Sequence, residues 1–341
     1  MKKFISLIIL SFLIHNFAIA LPNCTLIKTS NCKFIYDNGY VYEGERKNGK
    51  AHGVGTLKYT VKDMGNVIQI GFFKNDFLVD GTVIQNYPDG FKTEEKGKFN
   101  NNNYLIEGTW IGTIPNGERA IKKGFFIDGY LADGTYTYLF PNGEKVIRKG
   151  FFKDGYLVEG TDENILPDGK KQILEGFFKE GNLDGSNGIA YFFSGNKFIG
   201  DFKNGSANGK GIYYWSSGIY YGDFKNGKWD GEGIISWNNG AKLISTFKDG
   251  NSIGIAKKIF VDGVMIEGNF DKNFDLVGTG NMYIKGKVAD VFMKGTEYHY
   301  LIKGGRMIYN NKEKNFKMPK KEPLVSKPAK KKFKFNNFWS K

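Results

Sequence analysis

The sequence predicts an all-β chain of tandem antiparallel hairpins, and three observations carry that prediction. A short phrase recurs at near-constant spacing: Gly71-Phe72-Phe73-Lys74-Asn75, Gly124-Phe125-Phe126, Gly150-Phe151-Phe152-Lys153-Asp154-Gly155 and Gly176-Phe177-Phe178-Lys179, continuing as Gly200-Asp201-Phe202 and Gly222-Asp223-Phe224. Between successive phrases lies a second turn signal, Pro88-Asp89-Gly90, Pro115-Asn116-Gly117, Pro141-Asn142-Gly143 and Pro167-Asp168-Gly169, then Ser194-Gly195, Ser217-Gly218, Asn239-Gly240 and Asp262-Gly263. Two turns per unit leave room for two short strands and for no helix. Composition agrees: 40% hydrophobic and 16% aromatic residues are too many for a disordered polymer, and 46 Gly without a G-X-Y period exclude collagen.

Residues 1–20 have the form of a cleaved secretory leader: Lys2 and Lys3, an apolar run from Phe4 to Ile14, and Ala18-Ile19-Ala20 as the cleavage site. The run is too short for a membrane span, so the mature chain is expected to be soluble and exported, to a periplasm or a cell surface. Residues 21–39 read as an N-terminal cap. It holds Cys24 and Cys32, the only two cysteines, which an oxidising compartment would join in a small-loop disulfide. Two other readings stand beside it: a lipidated Cys24, since Leu21-Pro22-Asn23-Cys24 is like a lipobox except at Asn23, and two unpaired thiols.

Residues 40–311 are the repeats. Anchored on the first Gly of each phrase or its equivalent, the register runs 44, 71, 97, 124, 150, 176, 200, 222, 245 and 268. Asn-Gly and Asp-Gly supply the positive φ angles of tight hairpin turns, and Pro presets the first corner of the second turn. A lone hairpin is marginal in water. Stacking lets the Phe two places after each anchor (Phe73, Phe99, Phe126, Phe152, Phe178, Phe202, Phe224, Phe247, Phe270) form one core row.

Tyr42, Gly44, Gly49, Gly53, Gly55 and Tyr59 fit the pattern Y-x-G-x-x-x-x-G-x-x-x-G-x-G-x-x-x-Y, as do the glycines from Gly200 to Gly211 with Phe198 and Trp215, and from Gly222 to Gly233 with Tyr220 and Trp237. In this the chain resembles the MORN repeat family. The middle units depart from the pattern: Gly150, Gly155 and Gly160 run one residue long and Arg148 stands at the aromatic position, which is similar to bacterial antitoxin-type repeats. The resemblance implies an elongated single sheet of stacked hairpins in which the anchor Gly leaves room for an aromatic ring from the adjacent strand.

The residue after each anchor points to the opposite face. There Phe72, Phe125, Phe151 and Phe177, with Lys74, Lys153 and Lys179 two residues on, form a candidate binding surface, unless the rings stack on one another or under the Pro turns. Catalysis finds no constellation: His52 and His299 lie far apart, carboxylates are scattered among the turns, and the glycines recur at hairpin spacing and not in a phosphate loop. No cofactor or metal is expected.

The formal charge of +14 suggests nucleic acid until it is located. Residues 312–341 hold eleven Lys against Glu313 and Glu322, and Lys2 and Lys3 add two more charges, so only three remain for the repeats and no nucleic-acid partner is expected. Charge with Pro319, Pro323 and Pro328 reads as a disordered tail. Its end, with Lys330, Lys331, Lys332, Phe333, Phe335 and Trp339, suits an anionic membrane surface or an acidic partner as well as a plain solvated terminus. The expected function is an exported, non-catalytic scaffold that binds an envelope protein or a membrane. The alternative is an enzyme-associated or toxin-linked envelope factor with antitoxin-like repeats.

Overall fold

A computed structural model describes residues 19–20, 32–284, 287–294, 297–302 and 305–309. Residues 1–18 of the leader, Cys24 and the tail from 312 lie outside these, while Ile19–Ala20 pairs with Cys32–Ile35. Among the described residues there is no helix, and the strands form one antiparallel sheet in which each is bonded to its neighbours in the chain. The sheet begins before residue 40: Cys32–Ile35 is itself a strand paired with Val41–Lys47, and Cys32 is buried there.

In most units the two turns differ in mechanism. In the first, both central residues have positive φ, as at Asp128 (49°) with Gly129 (80°) and Asn204 (48°) with Gly205 (77°). In the second, only the Gly does. Asp89, Asn116, Asn142 and Asp168 keep negative φ, and their side-chain oxygens accept the N–H two residues on.

The anchor glycines and the glycines facing them align across the sheet. Gly44, Gly55, Gly71, Gly81, Gly97, Gly108, Gly124, Gly134, Gly150, Gly160 and Gly176 are successive cross-strand partners, and a second run joins Gly188, Gly200, Gly211, Gly222 and Gly233. The room for a ring expected at the anchors lies instead, in part of the chain, at the glycines facing them, and the ring comes from the anchor's own strand. Tyr42 lies over Gly55, Phe198 over Gly211 and Tyr220 over Gly233, where a Cβ would meet the ring at 2.4 to 2.5 Å. From Gly71 to Gly160 the reason for glycine is different. The backbone itself comes close, with φ between 138° and 158°, and a Cβ would meet a carbonyl oxygen of the facing strand at 1.9 to 2.2 Å.

The core row forms as the alternation predicts. Phe73, Phe99, Phe126, Phe178, Phe202, Phe224, Phe247 and Phe270 are buried, interleaved with Leu78, Leu105, Leu131, Leu157 and Leu183 from the second strands. Each such ring contributes roughly 1.5 to 3 kcal/mol. Phe152 is the exception, only half-buried, and it is where the two apolar clusters of the sheet meet.

Unit length follows from the second hairpin, 16 positions from Gly81 to Gly97 in a long unit against 11 from Gly211 to Gly222 in a short one, and bulge width varies separately. In the long units one residue (Val79, Ile106, Ala132, Val158) is extra on the second strand. At Gly44, Gly200 and Gly222, three residues face one across the bulge. There the residue after the anchor is acidic because it serves the widened backbone: Asp223 Oδ2 accepts the Glu232 N–H at 3.1 Å while Oδ1 takes Lys210 Nζ at 2.8 Å. Glu45, Asp201 and Asp223 cover Gly53, Gly209 and Gly231, leaving no space for a Cβ. The long units anchored at Gly71, Gly124 and Gly150 have no such opening, and Phe stands in that position at 72, 125 and 151; opposite Phe177 the facing strand opens over 184–188, and the ring lies against Gly185.

Candidate functional site

These four Phe lie on the face away from the core row, and strand pairing fixes their neighbours. One register row reads Phe72, Asp80, Lys98, Glu107, Phe125, Asp133, Phe151, Glu159, Phe177. A ring and a carboxylate therefore alternate from Glu107 onward, so adjacent strands never bring two of the rings together. Phe72, Phe125, Phe151 and Phe177 are 46, 56, 41 and 54% exposed, and among the described residues no ring contact joins Phe125, Phe151 or Phe177 to another aromatic. The rings thus neither stack on one another nor lie under the Pro turns. Phe72 has a single ring neighbour, His52, at 6.5 Å.

Lys74, Lys153 and Lys179 are exposed on the same face at the hairpin ends, opposite Phe77, Tyr156 and Asn182. Ile127 and Tyr130 hold that position in the intervening unit, both exposed. Sequence reading missed the row on the other side of the glycines, where Lys96, Thr109, Lys123, Thr135, Lys149 and Thr161 are successive partners. The outer face of the long units is therefore a line of rings and carboxylates between two lines rich in lysine.

The inner face carries a second arrangement that the sequence signalled only at Arg148. Glu95, Trp110, Lys122, Tyr136, Arg148 and Asp162 are successive partners in one row, where the short units place apolar rings. Reading two residues back from the anchors Gly71, Gly97, Gly124 and Gly150 gives Gln69, Glu95, Lys122 and Arg148, and that polar series was the available signal. Arg148 Nε donates to Asp162 Oδ2 at 3.0 Å, while Asp162 Oδ1 is buried without a partner in the protein. The Lys122 ammonium sits 4.8 Å from the Trp110 ring centre, and burial lowers its pKa.

Burial raises the Glu95 carboxyl from 4.5 to about 7, with Lys122 opposing the shift. A carboxyl whose folded pKa is raised contributes stability below its unfolded value and loses it as pH rises through the folded one. Between about pH 5 and pH 8 this group is expected to cost the fold about 2 kcal/mol, and Glu95→Gln should flatten that part of the profile. Urea midpoints across the range would check it. An unchanged slope in the variant would assign the dependence elsewhere.

With the fold and both faces in place, comparison with known proteins gives one family. The MORN repeat model matches residues 42–64, 198–219 and 220–242, the stretches where an aromatic ring covers a glycine of the next strand. Three of the chain's units match the MORN repeat. The matched MORN units flank the long units and bear the wide, acid-capped bulges, whereas the exposed Phe row begins beyond the first of them. No curated protein matches the chain in sequence. Among solved structures, a mutant of the TCP10 domain of Danio rerio CPAP is 19% identical with a TM-score of 0.35, over 63% of this chain and 95% of that one. The SAS-4 TCP domain of Drosophila melanogaster, in complex with a proline-rich motif of Ana2, is 13% identical with a TM-score of 0.25, over 50% of this chain and 80% of that one. Neither is close enough in three dimensions to bear on what these MORN repeats do.

Proposed function

We propose that this chain is a non-catalytic repeat scaffold, exported to the cell envelope, that presents the outer face of its long units to a protein partner. The carrying observation is the row of three exposed rings, Phe125, Phe151 and Phe177, set at every second strand with a carboxylate between each pair. The leader in residues 1–20 supports export, and the MORN repeats, commonly protein- or membrane-binding modules, support a scaffold. The pairing of Cys24 with Cys32 belongs to the same proposal, as a tie on the mature N-terminus.

The test is the double substitution Phe125→Ser with Phe151→Ser, followed by capture from envelope extract. Centrally placed aromatic rings are frequent hot spots, and loss of two at about 2 kcal/mol each would weaken a complex at least a hundredfold. Because both rings are about half exposed, the melting temperature should stay within a few degrees of the parent. Retained capture, or a large fall in melting temperature, would refute the surface.

The basic tail is a separate contact in this proposal. Lys330, Lys331 and Lys332 beside Phe333, Phe335 and Trp339 combine charge with insertable rings. Deleting residues 312–341 should abolish salt-sensitive binding to anionic vesicles. Unchanged binding would return the tail to the role of a solvated end.

A further inference from the structure

The geometry points to the class of partner that the outer face takes: an amphipathic α-helix laid across the strands of the long units, apolar along one line and acidic on both flanks. This rests on the outer face being the binding surface and adds what fits it.

The first argument is spacing. Phe125, Phe151 and Phe177 recur at every second strand, and two strand separations make about 9.6 Å. Seven residues of α-helix advance about 10.5 Å. A helix with an apolar residue at every seventh position therefore meets all three rings with a drift of about 2 Å, which side chains absorb. An extended peptide repeats its facing side chains every 6.6 to 6.8 Å or so and falls out of step by the second ring.

The second argument is charge. Lys123 and Lys149 lie two residues before Phe125 and Phe151 on the same strands, and Lys153 and Lys179 lie two residues after Phe151 and Phe177. The ring row thus runs between two lines of lysines whose Cα atoms lie about 7 Å away along the strands, just outside the half-width of about 5 to 6 Å of a helix with its side chains. Among the described residues none of these four lysines pairs with a carboxylate, whereas Lys98 in the neighbouring unit bonds Glu107 at 2.8 Å. Asp133 and Glu159 between the rings are likewise without an ion pair. The fitting helix carries Glu or Asp on both flanks and an Arg or Lys midway between its apolar residues. An anionic membrane fits poorly here, since its headgroups would press on Asp133 and Glu159.

The probe is a synthetic helical peptide of three heptads with Leu at every seventh position, Arg midway between them, Glu on both flanks and Ala elsewhere. One control has the same composition with the Leu spacing broken, and a second has Lys on the flanks and Glu midway. Binding to the full chain is read by fluorescence anisotropy at low and high salt. The first peptide should bind at least tenfold more tightly than either control, lose at least tenfold with Lys123→Glu plus Lys149→Glu, and weaken with salt. No binding of the first peptide, or equal binding of all three, overturns the helix. So does binding of phosphatidylserine vesicles that is lost with Phe125→Ser plus Phe151→Ser. If the Phe variants lose the envelope partner while no peptide binds, the helix fails and the surface stands. If they keep that partner, the surface fails as well.

Discussion

Gly124→Ala is expected to destabilise the chain by about 4 kcal/mol or to prevent folding of the middle units, an effect shared with the other glycines whose Cβ would meet facing backbone. A Cβ at this position would lie 2.0 Å from the Asp133 carbonyl oxygen and 2.8 Å from the Gly134 Cα, and φ is 149°. The neighbour is backbone on a paired strand, so relief requires the two strands to part, and Gly134 is in turn bonded to Gly150. Gly155→Ala is the control: its φ is 83°, but nothing stands within 4 Å of the added carbon, so only the left-handed penalty of about 1 to 2 kcal/mol applies. Denaturant midpoints of the two variants decide the matter. Equal losses would mean that conformation alone, and not the close approach of strands, selects these glycines.

Tyr220→Ala is expected to cost about 3 to 5 kcal/mol. The residue is fully buried, its ring is stacked on Trp229 at 4.4 Å, and it meets Phe224 and Phe247 edge-on at 5.1 and 5.2 Å. It also covers Gly222 and Gly233, so its loss opens a void between strands that cannot close without a shift of backbone. Tyr220→Phe should cost only about 1 kcal/mol, since it removes one hydrogen bond, from the phenol to the Asp223 carbonyl at 3.0 Å. A tyrosine-to-alanine loss no greater than the phenylalanine one would show that the ring fills no essential space.

Hairpins, turns and the core row were legible because each rests on local chemistry: Asp-Gly and Asn-Gly at turns, Phe at alternate positions, glycine at fixed intervals. Phe125 and Phe151 could be assigned to the outer face by parity alone. Their exposure could not, because parity names a face and says nothing of what covers it. The carboxylates between them were hidden for another reason. Asp133 and Glu159 come from second strands, and their placement beside the rings depends on the single-residue bulges at Ala132 and Val158, which no composition rule locates. The role of Asp223 was hidden likewise, since its backbone partner appears only once three residues are seen to bulge against one. On the inner face, Arg148 stood out as a departure from the repeat pattern, but its pairing with Asp162 needs the register.

The bonding of strands only to their chain neighbours has a mechanical consequence. A pull on the two termini would act across the strands, so the interstrand hydrogen bonds would bear load in sequence and not together. The molecule should yield to force one strand at a time, each release freeing a segment such as Gly65–Lys74 or Lys145–Lys153, while strands farther along the chain stay paired. Such a body lengthens under tension without losing its far end, which gives a tether between two attachment points a compliance that a globular domain, breaking all at once, does not have.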